Sequence, residues 1–160
     1  MDIFEYAMQM EKDGEDYYRE LAKKAGNKGI KTIFTMLDDE EVKHYDIISE
    51  MKTTKPELAE TKILTKVKNV FEQLKDSGEK FDFDDGQAEL YKKAQDIEKK
   101  SQDFYLEKAD EVEQEYQKEI FLKLAEEEKK HFFILENIIE FVSRPETWLE
   151  NAEVYHLEEY

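Results

Sequence analysis

The sequence predicts an all-α fold, a four-helix bundle in which a long crossover joins two helical hairpins. Apolar residues recur at helical spacing through four long stretches. Charged residues make up 41% of the chain and hydrophobic residues 39%, with only 5 Gly and 2 Pro, a composition typical of amphipathic helices rather than of β-sandwiches or disordered chains. A length of 160 residues suits one domain with one core.

The four long helices follow from this periodicity and from the breaks in it. A turn is predicted at residues 26–29, where two glycines end the first stretch, and another break at residues 53–56, which end in a proline. The predicted bundle helices cover residues 2–25, 29–52, 86–110 and 114–142.

A 34-residue connection, residues 53–86, separates the second and third helices. Its centre, residues 61–76, has the apolar spacing of a shorter helix, which would span about 24 Å at 1.5 Å per residue. Two short hairpins joined by one such crossover are the topology of ferritin-like bundles. We therefore predict a ferritin-like bundle over residues 1–142. The tail, residues 143–160, carries Trp148, Tyr155 and Tyr160 and is expected to pack on the bundle or on a partner subunit, which favours a homodimer.

The chain repeats itself at an interval of 87 residues. Residues 10–51 align without a gap with residues 97–138, and 15 of the 42 pairs are identical, whereas composition alone predicts roughly four. An internal duplication of one hairpin explains the excess. It predicts a pseudo-two-fold bundle, in which any site on the axis is built from two copies of the same residues.

In each long helix, the residues spaced alternately three and four apart form a core-facing seam that is mostly apolar. Glutamate interrupts this seam in every long helix, and histidine follows three residues later in two of them. Within each hairpin the two seam glutamates lie at equal distances from the turn, so an antiparallel pair places them side by side. Residues at i and i+3 share a helix face, so each Glu-x-x-His can aim at the same point. The six residues expected in one buried layer are Glu11, Glu41, His44, Glu98, Glu128 and His131.

Four buried carboxylates are unfavourable unless their charge is compensated. Two divalent cations balance four negative charges, and two neutral imidazoles complete the ligand set. Oxygen-rich ligands with two histidines and no thiolate favour iron, with manganese as the alternative, over structural zinc. One Glu from each of two helices and Glu-x-x-His from each of the other two form the di-iron carboxylate arrangement.

Other residues of the pattern have more than one interpretation. His156 also follows a glutamate by three residues, but it has no partner in the repeat and is interpreted as a tail residue. Glu40 and Glu127 do repeat, but they lie off the seam and are expected on a solvated helix face. Tyr18 and Tyr105 are either core residues or hydrogen-bond donors that orient a ligand carboxylate.

Gly14 and Ser101 occupy equivalent positions in the two repeats, three residues after a seam glutamate. Small side chains there allow either a close approach of helices or room beside the metals. The sequence does not choose between the two.

Charge and composition exclude several functions. With 24 Lys+Arg against 41 Asp+Glu, the net charge of −17 disfavours nucleic acid and anionic membranes as partners. Cysteine is absent, which excludes disulfides, thiolate nucleophiles and Cys-ligated metals. No apolar run is long enough to span a membrane, and the first residues are acidic where a signal peptide is basic. A cytoplasmic location is therefore expected.

Three segments resemble the rubrerythrin branch of the ferritin-like superfamily: residues 10–18 (MEKDGEDYY), 40–44 (EEVKH) and 124–131 (LAEEEKKH). The resemblance covers about residues 1–142. It implies a non-haem di-iron centre that reacts with hydrogen peroxide or dioxygen. It also implies that the six layer residues are the ligands and that Glu41 and Glu128 bridge the two irons.

Two departures from that family pattern matter. Rubrerythrins typically add a rubredoxin domain with paired Cys-x-x-Cys motifs, and its absence here implies an external electron-transfer protein. They also carry a further glutamate, associated with the peroxidase cycle, where this chain has Ser101. The leading hypothesis is a di-iron oxidoreductase whose carboxylates stabilise the ferric charge. The alternatives are an iron-storage protein without dedicated turnover and a metal-free helical interaction module.

Overall fold

Six α-helices account for all the regular secondary structure in the computed structural model, which describes residues 2–150. The predicted all-α, ferritin-like bundle is confirmed, and the long helices begin and end within two residues of their predicted limits. The helices are α1 (Ile3–Lys24), α2 (Lys28–Met51), α3 (Ile63–Asp76), α4 (Asp85–Ala109), α5 (Glu115–Ser143) and α6 (Pro145–Glu150). In this part of the chain no helix is long and apolar enough to cross a membrane.

Side-chain caps define where the helices of the first hairpin begin. The Asp2 carboxylate accepts from the amide of Glu5, and the Asn27 side chain accepts from the amide of Ile30 at 3.0 Å, so each satisfies an amide that the helix leaves without a partner. A tight connection results between α1 and α2, which then pack along their lengths. The helices α4 and α5 also pack along their lengths and form the second hairpin.

The sequence predicts Gly29 in the turn, but in the structure Gly29 lies within α2. Neither Gly26 nor Gly29 has a positive φ, so the turn does not depend on glycine conformation. A Cβ atom at Gly29 would lie 2.9 Å from the Leu74 side chain of α3. The glycine therefore allows the end of the crossover helix to lie close to the start of α2.

The crossover helix α3 packs its apolar face on α2 and α5. Ile63, Val67, Val70 and Phe71 are buried and recur at the three- and four-residue spacing of one helix face. The short helix α6 adds Trp148, which is fully buried, with its ring 4.5 Å from Phe71 between centroids. Of the tail residues singled out from the sequence, Tyr155, His156 and Tyr160 lie outside the described residues.

The apolar interior consists of two clusters with a polar layer between them. One cluster, at the end of the bundle next to α3, contains Phe34, Leu37 and Leu135. The other, at the opposite end, contains Ile48 and Phe121. In each bundle helix the seam glutamate lies between residues of the two clusters, so the carboxylates share one level of the bundle.

Phe71→Ala should reduce the free energy of unfolding by about 3–5 kcal/mol, because it leaves a cavity between α3 and the bundle. The Phe71 ring contacts Phe141 and Trp148 and is 0% exposed. Urea unfolding followed by circular dichroism measures the change. The matched control is Leu122→Ala, whose side chain is 43% exposed and which should change stability by less than about 1 kcal/mol. Equal losses in the two variants would contradict the packing of α3 described above.

Candidate metal centre

All six side chains that the sequence predicted for the polar layer lie together in the interior. The four glutamates are between 1% and 3% exposed, and both histidines are 0% exposed. Each bundle helix contributes one carboxylate, and α2 and α5 each add the histidine that follows three residues later. The duplicated hairpin therefore produces a symmetric cluster on the bundle axis.

Within this layer the ligand atoms form two overlapping groups. One group consists of Glu11, Glu41, His44 and Glu128, and the other of Glu41, Glu98, Glu128 and His131. In each group one ligand atom per residue lies within 4.8 Å of the others. Glu41 and Glu128 belong to both groups, so they are the two carboxylates that would be shared if each group held a cation.

Each histidine directs its Nδ1 atom at the carboxylates. His44 Nδ1 lies 2.9 Å from Glu128 Oε1 and 3.5 Å from Glu11 Oε2. His131 Nδ1 lies 3.6 Å from both Glu41 Oε1 and Glu98 Oε1. The two imidazole rings are nearly parallel, with centroids 5.7 Å apart and planes at 8°. The arrangement offers one nitrogen and three carboxylates to each of two positions.

Two buried tyrosines connect the hairpins through ligand carboxylates. The Tyr18 hydroxyl of α1 donates to Glu98 of α4, and the Tyr105 hydroxyl of α4 donates to Glu11 of α1. Both phenols are at most 2% exposed. Of the two interpretations that the sequence allowed, the structure shows the hydrogen-bonding one, and the rings also pack in the core. The two bonds leave the other oxygens of these carboxylates for the cluster.

The expectation that Glu40 and Glu127 lie on a solvated face is wrong. Glu127 is 4% exposed, and its Oε1 lies 2.8 Å from His44 Nε2. The Glu40 side chain is 13% exposed, and its Oε1 lies 3.5 Å from His131 Nε2. Each carboxylate therefore faces the outer nitrogen, Nε2, of the histidine from the other hairpin. The inner nitrogen, Nδ1, is the one that faces the cluster. Their repetition at the 87-residue interval is the sequence signal that could have singled them out, although it does not by itself indicate this role.

Burial and mutual repulsion disfavour the ionised forms of the two shared glutamates. Burial, followed by the negative charges of Glu11, Glu128 and Glu98, raises the pKa of Glu41 well above its usual value. Burial and the charges of Glu98 and Glu11 do the same to the pKa of Glu128. A cation between these carboxylates would favour their ionised forms and so oppose both shifts.

The pKa values of the other two glutamates and of both histidines shift in the direction that favours charged Glu–His pairs. Burial acts to raise the pKa of Glu98, but the charge of His131 and its hydrogen bonds lower it to about 2. Burial acts to lower the pKa of His131, but Glu98 and Glu40 raise it to about 10. Glu11 raises the pKa of His44 well above its usual value and has its own pKa lowered by His44, in both cases against the effect of burial. Protons on the imidazoles thus supply part of the positive charge that the carboxylates require.

Gly14 makes room for one of the shared carboxylates. A Cβ atom at this position would lie 3.0 Å from Glu41 Oε2 and 3.2 Å from its Cδ, which is tighter than ordinary van der Waals contact. The small residue predicted at this level therefore accommodates a ligand side chain. Ser101, its counterpart in α4, is also buried.

The donor set and its unsatisfied atoms fit a pair of divalent cations. Four carboxylates and two imidazole nitrogens suit iron or manganese, and four negative charges match two doubly charged ions. Buried polar atoms normally have hydrogen-bond partners. Among the described residues, those of the cluster without one include Glu11 Oε2, Glu98 Oε2, Glu128 Oε1, His44 Nδ1 and His131 Nδ1. These atoms belong to residues of the two groups, and bound cations would satisfy them.

Glu41→Gln should abolish metal binding without loss of apoprotein stability. Glutamine keeps the size of the side chain but removes a charge that its neighbours disfavour, and replacing a buried charge is often neutral or stabilising. The measurement is thermal unfolding with and without Mn(II). The unaltered protein should gain about 3 kcal/mol of stability at an ion concentration of about 100 times Kd, and the variant should gain nothing.

Asp39→Asn is the matched control, since it removes the same charge from an exposed position two residues away on α2. It should retain the Mn(II)-induced gain in full. A large fall in the apoprotein stability of Glu41→Gln, or an undiminished response of this variant to Mn(II), would contradict the prediction.

A model of the family described as rubrerythrin matches residues 2–131 of the chain. No curated protein and no solved structure matches the chain. The matched region includes α1 to α4, the first part of α5 and all six residues of the cluster. The chain therefore belongs to the rubrerythrin family of ferritin-like di-iron proteins.

Proposed function

We propose that this protein is a di-iron oxidoreductase that reduces hydrogen peroxide or dioxygen. The observation that supports the proposal best is the pair of overlapping ligand groups that share Glu41 and Glu128 in a buried layer. A structural site needs only one cation. Two adjacent redox-active ions, in contrast, can supply two electrons to one oxidant molecule. Two ferrous ions there would supply two electrons, which together with two protons from solvent reduce hydrogen peroxide to two water molecules or dioxygen to hydrogen peroxide.

The residues around the cluster have defined parts in this proposal. The four carboxylates compensate the additional positive charge that accompanies oxidation of the cations. The Tyr18 and Tyr105 hydroxyls hold Glu98 and Glu11 in place from the opposite hairpin. Because these bonds come from a different hairpin, they keep the two halves of the ligand set at a constant separation. The apolar clusters above and below the layer exclude water from it.

Continued turnover would need electrons from outside this chain. Its sequence contains no cysteine, so it offers no thiolate ligands for a rubredoxin-type iron site. We propose an external electron-transfer protein as the donor, which returns two electrons per cycle. The homodimer expected from the sequence stays a prediction.

Anaerobic loading with Fe(II), followed by oxidant, tests the proposed function. The full chain should bind two Fe(II) ions, and one equivalent of hydrogen peroxide should then produce a near-ultraviolet ferric absorption band. A parallel titration with dioxygen identifies the preferred oxidant from the relative rates. Asp39→Asn should behave like the unaltered chain, and Glu41→Gln should give no band, because it lacks a bridging ligand.

Two results would contradict this function. One is a chain that holds fewer than two Fe(II) ions at saturation. The other is a chain that binds two ions but whose absorption changes with neither oxidant on the timescale of minutes. Size-exclusion mass after iron loading separates the proposal from the storage alternative, which requires a large cage.

A further inference from the structure

The chain segment just before α3 crosses the face of the bundle where α2 and α5 carry the histidines. Lysines at equivalent positions of the two repeats hold it from both sides: Lys43 Nζ donates to the carbonyl of Ala59 at 3.4 Å, and Lys130 Nζ lies 3.8 Å from Glu60 Oε1. The next residue, Thr61, donates its hydroxyl to Glu40 Oε1 at 2.5 Å. The crossover thus contacts a carboxylate that faces a histidine of the cluster.

The outer nitrogens of the two histidines are supported differently. His44 Nε2 makes a 2.8 Å hydrogen bond with Glu127, a carboxylate of the adjacent bundle helix. His131 Nε2 lies 3.5 Å from Glu40 and has no hydrogen-bond partner among residues 2–150. The oxygen that faces it, Glu40 Oε1, is the one to which Thr61 donates. The pseudo-two-fold symmetry of the cluster therefore does not extend to its surroundings.

This difference has a consequence for metal binding. An imidazole that binds a cation through Nδ1 carries its proton on Nε2 and needs an acceptor there. Glu127 is already in place for His44. For His131 the acceptor is Glu40, and the Thr61 hydroxyl donates to the Glu40 oxygen that faces His131.

We propose that Glu40 and Glu127 are positioning residues for the two histidines, and that Thr61 of the crossover holds Glu40 in place. One metal position, beside Glu98 and His131, then depends on the crossover segment. The other, beside Glu11 and His44, has no such dependence on Thr61, because Glu127 contacts His44 directly. This inference rests on the proposed two-metal function and adds to it that the two positions respond to different substitutions.

Titration of the full chain with Co(II) under anaerobic conditions tests the inference. Co(II) is a probe of iron sites whose visible bands report its coordination, and equilibrium dialysis gives the number of ions bound. Thr61→Val, which removes the hydroxyl, should lower the affinity for one of the two Co(II) ions about tenfold and leave the affinity for the other unchanged. A tenfold loss is the lower end of the effect of removing a group that hydrogen-bonds a metal ligand. Glu40→Gln should weaken the same ion, and Glu127→Gln the other.

Combined substitutions identify which residues act on the same position. Thr61→Val together with Glu40→Gln should weaken binding no further than the more severe single change, because both act on His131. Thr61→Val together with Glu127→Gln should weaken both ions, because the two changes act independently. Thr61→Ser, which keeps the hydroxyl, should restore the affinity and the visible spectrum. Thr65→Val, at an exposed position of the crossover, is the matched control and should have no effect.

The inference would be overturned if Thr61→Val bound Co(II) like the unaltered chain, or if Thr61→Ser failed to restore the affinity. It would also be overturned if Thr65→Val had the same effect, or if every variant weakened both ions equally. Binding of two Co(II) ions without any reaction of the iron-loaded protein with oxidants would count against the proposed activity alone. Unaltered Co(II) affinities in an oxidant-reactive protein would count against the inference alone.

Discussion

The structure depends on placing four carboxylates in a dry interior, a state that is stable only with compensating positive charge. Several contacts around the carboxylates serve that requirement. The histidines lie among the glutamates and have raised pKa values, and tyrosine hydroxyls donate to Glu11 and Glu98. These contacts reduce the repulsion but leave the shared glutamates in an environment that disfavours their charge. The metal-free carboxylate layer therefore lowers the stability of the apoprotein, and bound cations would raise it. Metal binding and folding are thermodynamically linked for this reason.

Duplication explains how such a cluster arises from few residues. One hairpin with a glutamate on each helix presents two carboxylates and one histidine, which is an incomplete site for two ions. A second copy across a pseudo-two-fold axis completes both positions together, and the carboxylates nearest the axis are then shared. The hydrogen bonds of Tyr18 and Tyr105 cross between the copies. The ligand set is consequently a property of the assembled bundle and not of either hairpin alone.

Most of the fold and the central cluster could be predicted from the sequence, because both depend on local periodicity. Seam spacing placed Glu41 and His44 on one helix face, and equal distances from the turns placed the glutamates of a hairpin at one height. The burial of Glu127 and the partial burial of Glu40 could not be obtained in this way. Both lie one residue off the seam, and what buries them is the contact of α2 with α5 and the crossover, which seam spacing does not describe. Repetition alone identified them as unusual, but an exposed acidic residue can also repeat.

A single crossover cannot obey the symmetry of the two hairpins that it connects. It must leave the end of α2 and enter α4, so it passes over one face of the bundle in one direction, and a given residue of the segment reaches only one of two equivalent carboxylates. Thr61 reaches Glu40, whereas Glu127 bonds directly to His44. Equivalent ligands in the two repeats can therefore bind their cations with different strength even though the ligands themselves are the same. In a duplicated bundle, the connection between the repeats is the element best placed to make two metal positions differ without any change of ligand.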